Sequence, residues 1–168
     1  MGTGVNSDLK IAGHCPTDLD SDVLDIVKTE TQKALDAILF KYGASNTEFR
    51  VTNDGKVYIL ELNPRMPGNF SNVLMQLYNG YDYVKGVIDV ALGQFEEPVI
   101  TETKHSGIYF LTKHTEWVRK VIENRKNDPD IIYHKIYNSE LHDFQSTLDK
   151  GGYFMYQSDR RRRWGEKN

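Results

Sequence analysis

The chain has 168 residues, 39% hydrophobic and 11% aromatic, which suffices for one domain with a core or one compact domain with a small appendage. A net charge of −3 gives no general affinity for nucleic acid or an anionic membrane. No apolar run approaches the ~18 residues of a membrane span or forms the core of a leader peptide. The lone Cys15 rules out an internal disulfide and argues against a cysteine-based zinc site. With 27% charged residues and a mean hydropathy of −0.58, the chain reads as a cytoplasmic protein.

Residues 1–8 (MGTGVNSD) read as a flexible lead-in. Leu9 to Ala12 reads as a short strand, followed by a Gly-His-Cys-Pro loop. Pro16-Thr17-Asp18 then supplies helix-start chemistry. Val23, Ile26, Val27, Ala34, Ile38 and Leu39 recur at helical spacing, predicting a long helix to Lys41 with Gly43 as its C-cap.

Thr47 to Gly68 (TEFRVTNDGKVYILELNPRMPG) reads as a β-hairpin around Asp54-Gly55, a dipeptide suited to a two-residue turn. Pairing Asn53 with Lys56 sets Glu48 opposite Glu61, Phe49 opposite Leu60 and Arg50 opposite Ile59. Phe49, Val51, Tyr58, Leu60 and Leu62 then share a core face. Asn63 and Arg65 continue the Glu48/Glu61 face if the strand stays extended.

Downstream, Ser71 caps a helix over Asn72–Tyr78 that Gly80 ends. Asp82 caps a second, with Val84, Val87, Ile88, Ala91 and Leu92 on one face and Gly93 closing it. Beyond the Glu96-Glu97-Pro98 connector come a strand at Gly107–Thr112, a helix at Glu116–Asn124, and strands near Ile131–Tyr137 and Tyr153–Gln157. The expected class is therefore α+β, a mainly antiparallel sheet with packed helices. Its divisions fall at 1–8, 9–94, a small α+β unit at 95–157, and a basic tail at 158–168.

The hairpin carries the chemistry. Two carboxylates directly across a sheet repel; at ~5 Å and an effective dielectric of about 20 the cost is roughly 3 kcal/mol. A bound divalent cation is the simplest compensation. Glu48, Glu61 and Asn63 offer only oxygen ligands, the preference of Mg²⁺ or Mn²⁺, and Arg65 is suited to gripping phosphate or carboxylate oxygens. The alternative is a solvated polar face whose glutamates pair with surface lysines.

The segment GASNTEFRVTNDGKVYILELNPRMPG resembles the magnesium-binding hairpin of the ATP-grasp superfamily. There a glutamate on one strand is followed, after a turn, by Glu-x-Asn-x-Arg and a glycine. The matching positions are Glu48, Glu61, Asn63, Arg65 and Gly68. Residues 18–41 resemble the helix before that hairpin, and Asn79 to Gly93 the "G-x-D … A-L-G" helix after it. More weakly, Ser146 to Tyr156 resembles the C-terminal strand region of the amino-acid ligase branch.

The resemblance implies that Glu48, Glu61 and Asn63 hold Mg²⁺ (or Mn²⁺) against the phosphates of ATP. It also implies that Arg65 stabilises an acyl phosphate, the carboxylate activated for attack by an amine. It favours an amino-acid or carboxylate–amine ligase, with a relative of the carbamoyl phosphate synthetase large subunit next. Such enzymes have an upstream nucleotide-clamping lobe for which nothing before Leu9 provides. The expectation is thus a C-terminal part, inactive alone, that needs those lobes in cis or in trans. A non-catalytic binding or regulatory module of the same descent is the alternative.

The weaker features receive bland readings. His14 and Cys15 read as incidental loop residues, and His105, His114, His134 and His142 have no metal-ligand spacing. Lys104 and Lys113 read as solvated. The run Arg160–Arg163 beside Trp164 reads as a solubilising end, with nucleic acid or anionic lipid the less favoured partner.

Overall fold

The computed structural model describes residues 11–143, 146 and 149–165. The lead-in, the first residues of the predicted Leu9–Ala12 strand and residues 166–168 lie outside them, as does part of the Ser146–Tyr156 stretch. In chain order the elements are β1 (Ala12–Cys15), α1 (Ser21–Ala37), β2 (Asn46–Val51), β3 (Val57–Asn63), α2 (Ser71–Asn79), α3 (Tyr83–Ala91), β4 (His105–Leu111), α4 (Trp117–Arg125), β5 (Ile131–Ile136) and β6 (Gly152–Ser158). Every strand pairing among the described residues is antiparallel, and the class is α+β. The chain forms two compact units that follow sheet pairing rather than chain order. One comprises described residues 11–16, 73–81 and 100–165; the other comprises 17–72 and 82–99.

The first unit is a four-stranded sheet ordered β1-β4-β6-β5. Its central strand β4 is apolar without alternation because both of its faces are covered. Ile108 and Phe110 point to one face, where they pack with Met155 and with Leu74 of α2. Tyr109 and Leu111 point to the other, against Val118 and Ile122 of α4 and against Phe154, Tyr156 and Trp164. Large side chains buried this fully contribute about 1.5–3 kcal/mol each. The last carbonyls of α2, which no helical N–H reaches, are met from the sheet. Gln157 Nε2 donates to Leu77 O at 2.6 Å and the Lys104 N–H to Tyr78 O at 2.7 Å.

Two readings of this unit need correction. The Gly-His-Cys segment is not a loop: it is strand β1, with Ala12 opposite Tyr109 and Cys15 opposite Ser106. A long-range partner overrides the local turn chemistry. Nor is the arginine run a solvated end. Trp164 is buried, its ring centroid 5.3 Å from that of Phe154. Arg162 is anchored to Asp130 at 2.5 Å and Asp128 at 3.2 Å, in the loop between α4 and β5. Arg160 and Arg163 remain exposed.

In the second unit α1 packs on β3. Its inward stripe is Val23, Leu24, Val27, Thr31, Ala34 and Leu35, whereas Ile26, Ile38 and Leu39 are exposed. The helix ends earlier than its apolar spacing implied, at Ala37. Leu39 N–H bonds to Asp36 O and Phe40 N–H to Leu35 O, a Schellman motif with Leu39 at φ 59° in the place glycine usually takes. Gly43 is therefore not the cap. Helix α3 ends on the same motif with the expected Gly93 (φ 68°), and begins on Asp82, whose carboxylate accepts from Lys85 N–H at 2.9 Å.

Two outcomes follow from these contacts. A Cβ on Gly107 would intrude on the Tyr156 ring and lie 2.8 Å from His14 Nδ1. Gly107→Ala is therefore expected to destabilise the first unit by about 1–3 kcal/mol, read as a lowered denaturation midpoint by circular dichroism. Leu39 is 80% exposed, so Leu39→Gly relieves left-handed strain with little packing lost. It is expected to stabilise by about 1 kcal/mol in the same measurement.

Candidate functional site

The hairpin's turn is longer than Asp54-Gly55 implied. Thr52 faces Lys56: Thr52 N–H bonds to Lys56 O and Gly55 N–H to Thr52 O, both at 2.9 Å. Three residues, Asn53 to Gly55, make the connection, and only Gly55 takes positive φ (78°). This is the common three-residue loop, a turn closed by a left-handed residue. Asp54 braces it. Its carboxylate accepts from Lys56 at 2.8 Å and from the Thr52 hydroxyl, and these bonds hold its pKa below the ordinary value.

The extra turn residue shifts the adjoining register by one. Val51 faces Val57, Arg50 faces Tyr58 and Phe49 faces Ile59, not Leu60. Left uncorrected, the shift would set Glu48 opposite Leu60. A second irregularity intervenes between Phe49 and Glu48, where Leu60 is passed over as a bulge and Glu48 falls opposite Glu61. The apolar face is consequently Phe49, Val51, Val57, Ile59 and Leu62, all half-buried. Tyr58 and Leu60, read as core residues, are 53% and 59% exposed.

By alternation along β2, the opposite face carries Asn46 with Asn63, Glu48 with Glu61, and Arg50 with Tyr58. Glu61 is exposed and Glu48 half-buried. Glu48, Glu61 and Asn63 are thus neighbours on one row, and Asn46, opposite Asn63, belongs to it as well. Arg65 does not extend the row. Strand β3 stops at Asn63, Arg65 N–H folds back onto Asn63 O at 2.9 Å, and Arg65 Nη1 donates to Met66 O at 2.9 Å. The proline at position 64 ends the ladder. The connection to α2 then places Asn69 and Phe70 at φ 55° and 60°, successive left-handed residues of a kind that clusters at ligand-binding loops.

The remaining polar candidates belong to the first unit. His14 Nδ1 lies 3.3 Å from the Tyr156 hydroxyl. Burial, reinforced by Tyr109, pushes the Tyr156 pKa to about 12. Burial also pushes up the Cys15 thiol, against a smaller opposing effect from its hydrogen bond with Ser106. Lys113 is ion-paired with Asp143 at 2.7 Å and Lys104 with Asp159 at 3.7 Å. Among the described residues no three His, Cys, Asp or Glu side chains form a metal cluster, and no helix is long and apolar enough to cross a membrane.

No family model and no curated protein matches the sequence. Solved structures do match. Phosphoribosylglycinamide synthetase from Anaerococcus prevotii superposes with a TM-score of 0.70 at 20% identity, over 89% of this chain and 40% of its own. L-amino acid ligase from Bacillus licheniformis gives 0.71 at 15%, over 90% and 40%. The biotin carboxylase domain of Hydrogenobacter thermophilus 2-oxoglutarate carboxylase, solved with MgADP and bicarbonate, gives 0.57 at 16%, over 91% and 36%. The fold is that of the ATP-grasp ligases. The chain spans about two fifths of the length of these ATP-grasp proteins.

The ATP-grasp fold brings a nucleotide-bound Mg²⁺ into question, and the residues present fit such an ion. Two facing carboxylates are what Mg²⁺ takes from protein when phosphates complete its shell. The Asn63 side-chain amide offers a further clue: its nitrogen is buried with no hydrogen-bond partner among the described residues. The amide's orientation is open to exchange of its oxygen and nitrogen, and its oxygen is a ligand type that Mg²⁺ accepts.

Like charges directly opposite on a sheet repel, and a divalent cation between them would neutralise the pair. Glu61→Gln is expected to raise the thermal midpoint of the metal-free chain, corresponding to about 0.5 kcal/mol. The gain should vanish or reverse when saturating Mn²⁺ is included in the melt.

Proposed function

We propose that this chain is the C-terminal part of an ATP-grasp, Mg²⁺-dependent carboxylate–amine ligase. The observation that carries the reading is the Glu48/Glu61 pair, with Asn63 on its row, presented on a hairpin within an ATP-grasp fold. Mg²⁺ or Mn²⁺, when bound, supplies positive charge to the phosphate oxygens of ATP. Glu48 and Glu61 hold the ion, and Asn63 supplies an amide oxygen. Arg65, just past the strand end, swings from the Met66 carbonyl to grip phosphoryl oxygens.

The substrate carboxylate attacks the γ-phosphorus, releasing ADP and forming an acyl phosphate. An amine then displaces phosphate to give the amide. Charge neutralisation and in-line positioning carry such a transfer. An amino acid or related small carboxylate and an amine are the substrates, and the cytoplasm, where ATP is plentiful, is the location.

Further lobes complete the enzyme, in cis or on a partner chain. Twelve of the sixteen exposed large apolar side chains among the described residues belong to the unit that holds the hairpin, Leu39, Tyr42, Tyr58 and Leu60 among them. A two-stranded sheet is also marginal by itself. Both features favour a surface that other protein covers. They equally suit the second reading, a non-catalytic module that docks on another polypeptide.

Isothermal titration of Mn²⁺ into the chain should show one site that Glu61→Gln weakens at least about tenfold. Equal weak binding by both proteins would remove the metal site. The 168-residue chain should turn over no ATP until nucleotide-binding lobes are supplied, as a longer chain or in trans. Turnover by the chain alone would refute the need for them, and a lobe-supplemented complex that binds Mn²⁺·ATP without forming amide would favour the module.

A further inference from the structure

The first unit contains a cavity of about 360 Å³ between α4 and the C-terminal arm. Trp117, Lys120, Asn124 and Arg125 line it from the helix, and Arg163 and Trp164 from the arm. Trp117, Lys120, Val121 and Asn124 recur at three- and four-residue spacing, and Arg125 lies four beyond Val121, beside the Val118/Ile122 stripe buried in the core. In a chain of net charge −3, no acidic side chain among the described residues lines this cavity.

The cationic groups there are unequally satisfied. The fourth, Arg162, is already matched by Asp128 and Asp130 and serves to hold the arm down. Lys120 and Arg125 make no ion pair among the described residues. Arg125 is held with its guanidinium carbon 5.7 Å from the Trp164 ring centre, and Arg162 lies over the same ring at 4.6 Å. A guanidinium fixed by stacking keeps its donors available and loses little freedom on binding. Lys120 and Arg125 offer only donors, and the Asn124 amide adds two more.

We propose that this cavity is a binding site for a small oligoanion of the diphosphate type, with Lys120 and Arg125 as its principal charge partners. It shares no residue with the carboxylate row of the hairpin, whose ligand is a cation. Diphosphate occurs free and as the terminal part of a nucleoside diphosphate, and the site's donors recognise the phosphate oxygens common to both.

Both tryptophans of the chain, Trp117 and Trp164, line the cavity, so intrinsic fluorescence reports on it directly. The chain should be titrated with pyrophosphate and, separately, ADP in a metal-chelating buffer that silences the hairpin site. The expected result is a saturable change with a midpoint below ~1 mM. Lys120→Ala should weaken it by about tenfold, and Arg125→Lys, which keeps the charge and loses the fork, by several-fold.

Lys120→Ala leaves both indole contacts in place, and an unchanged melting curve verifies its fold. A response to both probes identifies the phosphates as the recognised group, and a response to pyrophosphate alone identifies the free ion. The proposal is overturned by an equal response to sodium chloride of matched ionic strength, by unaltered midpoints in both variants, or by binding of an RNA oligonucleotide with none of pyrophosphate.

Discussion

Two one-residue irregularities of opposite effect decide what the hairpin presents. Side chains alternate along a strand, so a slip of one residue exchanges the faces. The three-residue turn introduces one slip and the bulge at Leu60 removes it, leaving Glu48 opposite Glu61. Near the turn the sheet follows the offset register, which matches Phe49 with Ile59 and Val51 with Val57 and gives the hairpin its apolar side. Beyond the bulge the polar row is restored. This arrangement leaves Leu60 exposed and sets two like-charged side chains opposite each other. Such local conflict is expected where a sequence serves a ligand rather than stability.

The element types were legible because their signals are local. Asp82 and Gly93 bracket α3 as their capping chemistry requires, and the apolar stretch after His105 forms a strand. Glu48 and Glu61 face each other because the turn error and the unforeseen bulge cancel, so the expected register is wrong by one between the turn and Phe49 and right from Glu48 outward. Nothing in residues 57–63 distinguishes the bulged leucine from its neighbours. Arg65 was misplaced because the strand was extended through Pro64, a residue that cannot donate to a ladder. The terminator of α1 was hidden too, since a leucine occupies a left-handed position that sequence reasoning assigns to glycine. Strand β1 and the docked arm depend on partners far along the chain, and no local pattern reports those.

The two units differ in how their surfaces are resolved. In the four-stranded unit, helices cover both faces of β4, and the C-terminal arm adds an indole to one core. Of the arm's cationic side chains, Arg162 is matched by carboxylates and Arg163 lies at the cavity beside α4. In the hairpin unit the apolar strand residues are only half-buried, and Val27 is the one buried large apolar side chain among its described residues. In the four-stranded unit Asp128 and Asp130 are both matched by Arg162, whereas the unit that holds Glu48 and Glu61 leaves much apolar surface in water. A surface of that kind is usually finished by other protein.

The order in which the chain visits its two units bears on how it is made. β1 leaves the ribosome before its partner β4, which follows about 90 residues later, a delay of several seconds at ordinary rates of translation. All of α1, the hairpin and α3 are synthesised in that interval, so the elements of the hairpin unit are made while β1 still waits unpaired. Trp164, which seals one face of the sheet, arrives later still. Vectorial synthesis thus presents the hairpin unit first, and for that interval its uncovered apolar side chains are available to chaperones or to the lobes proposed to cover them.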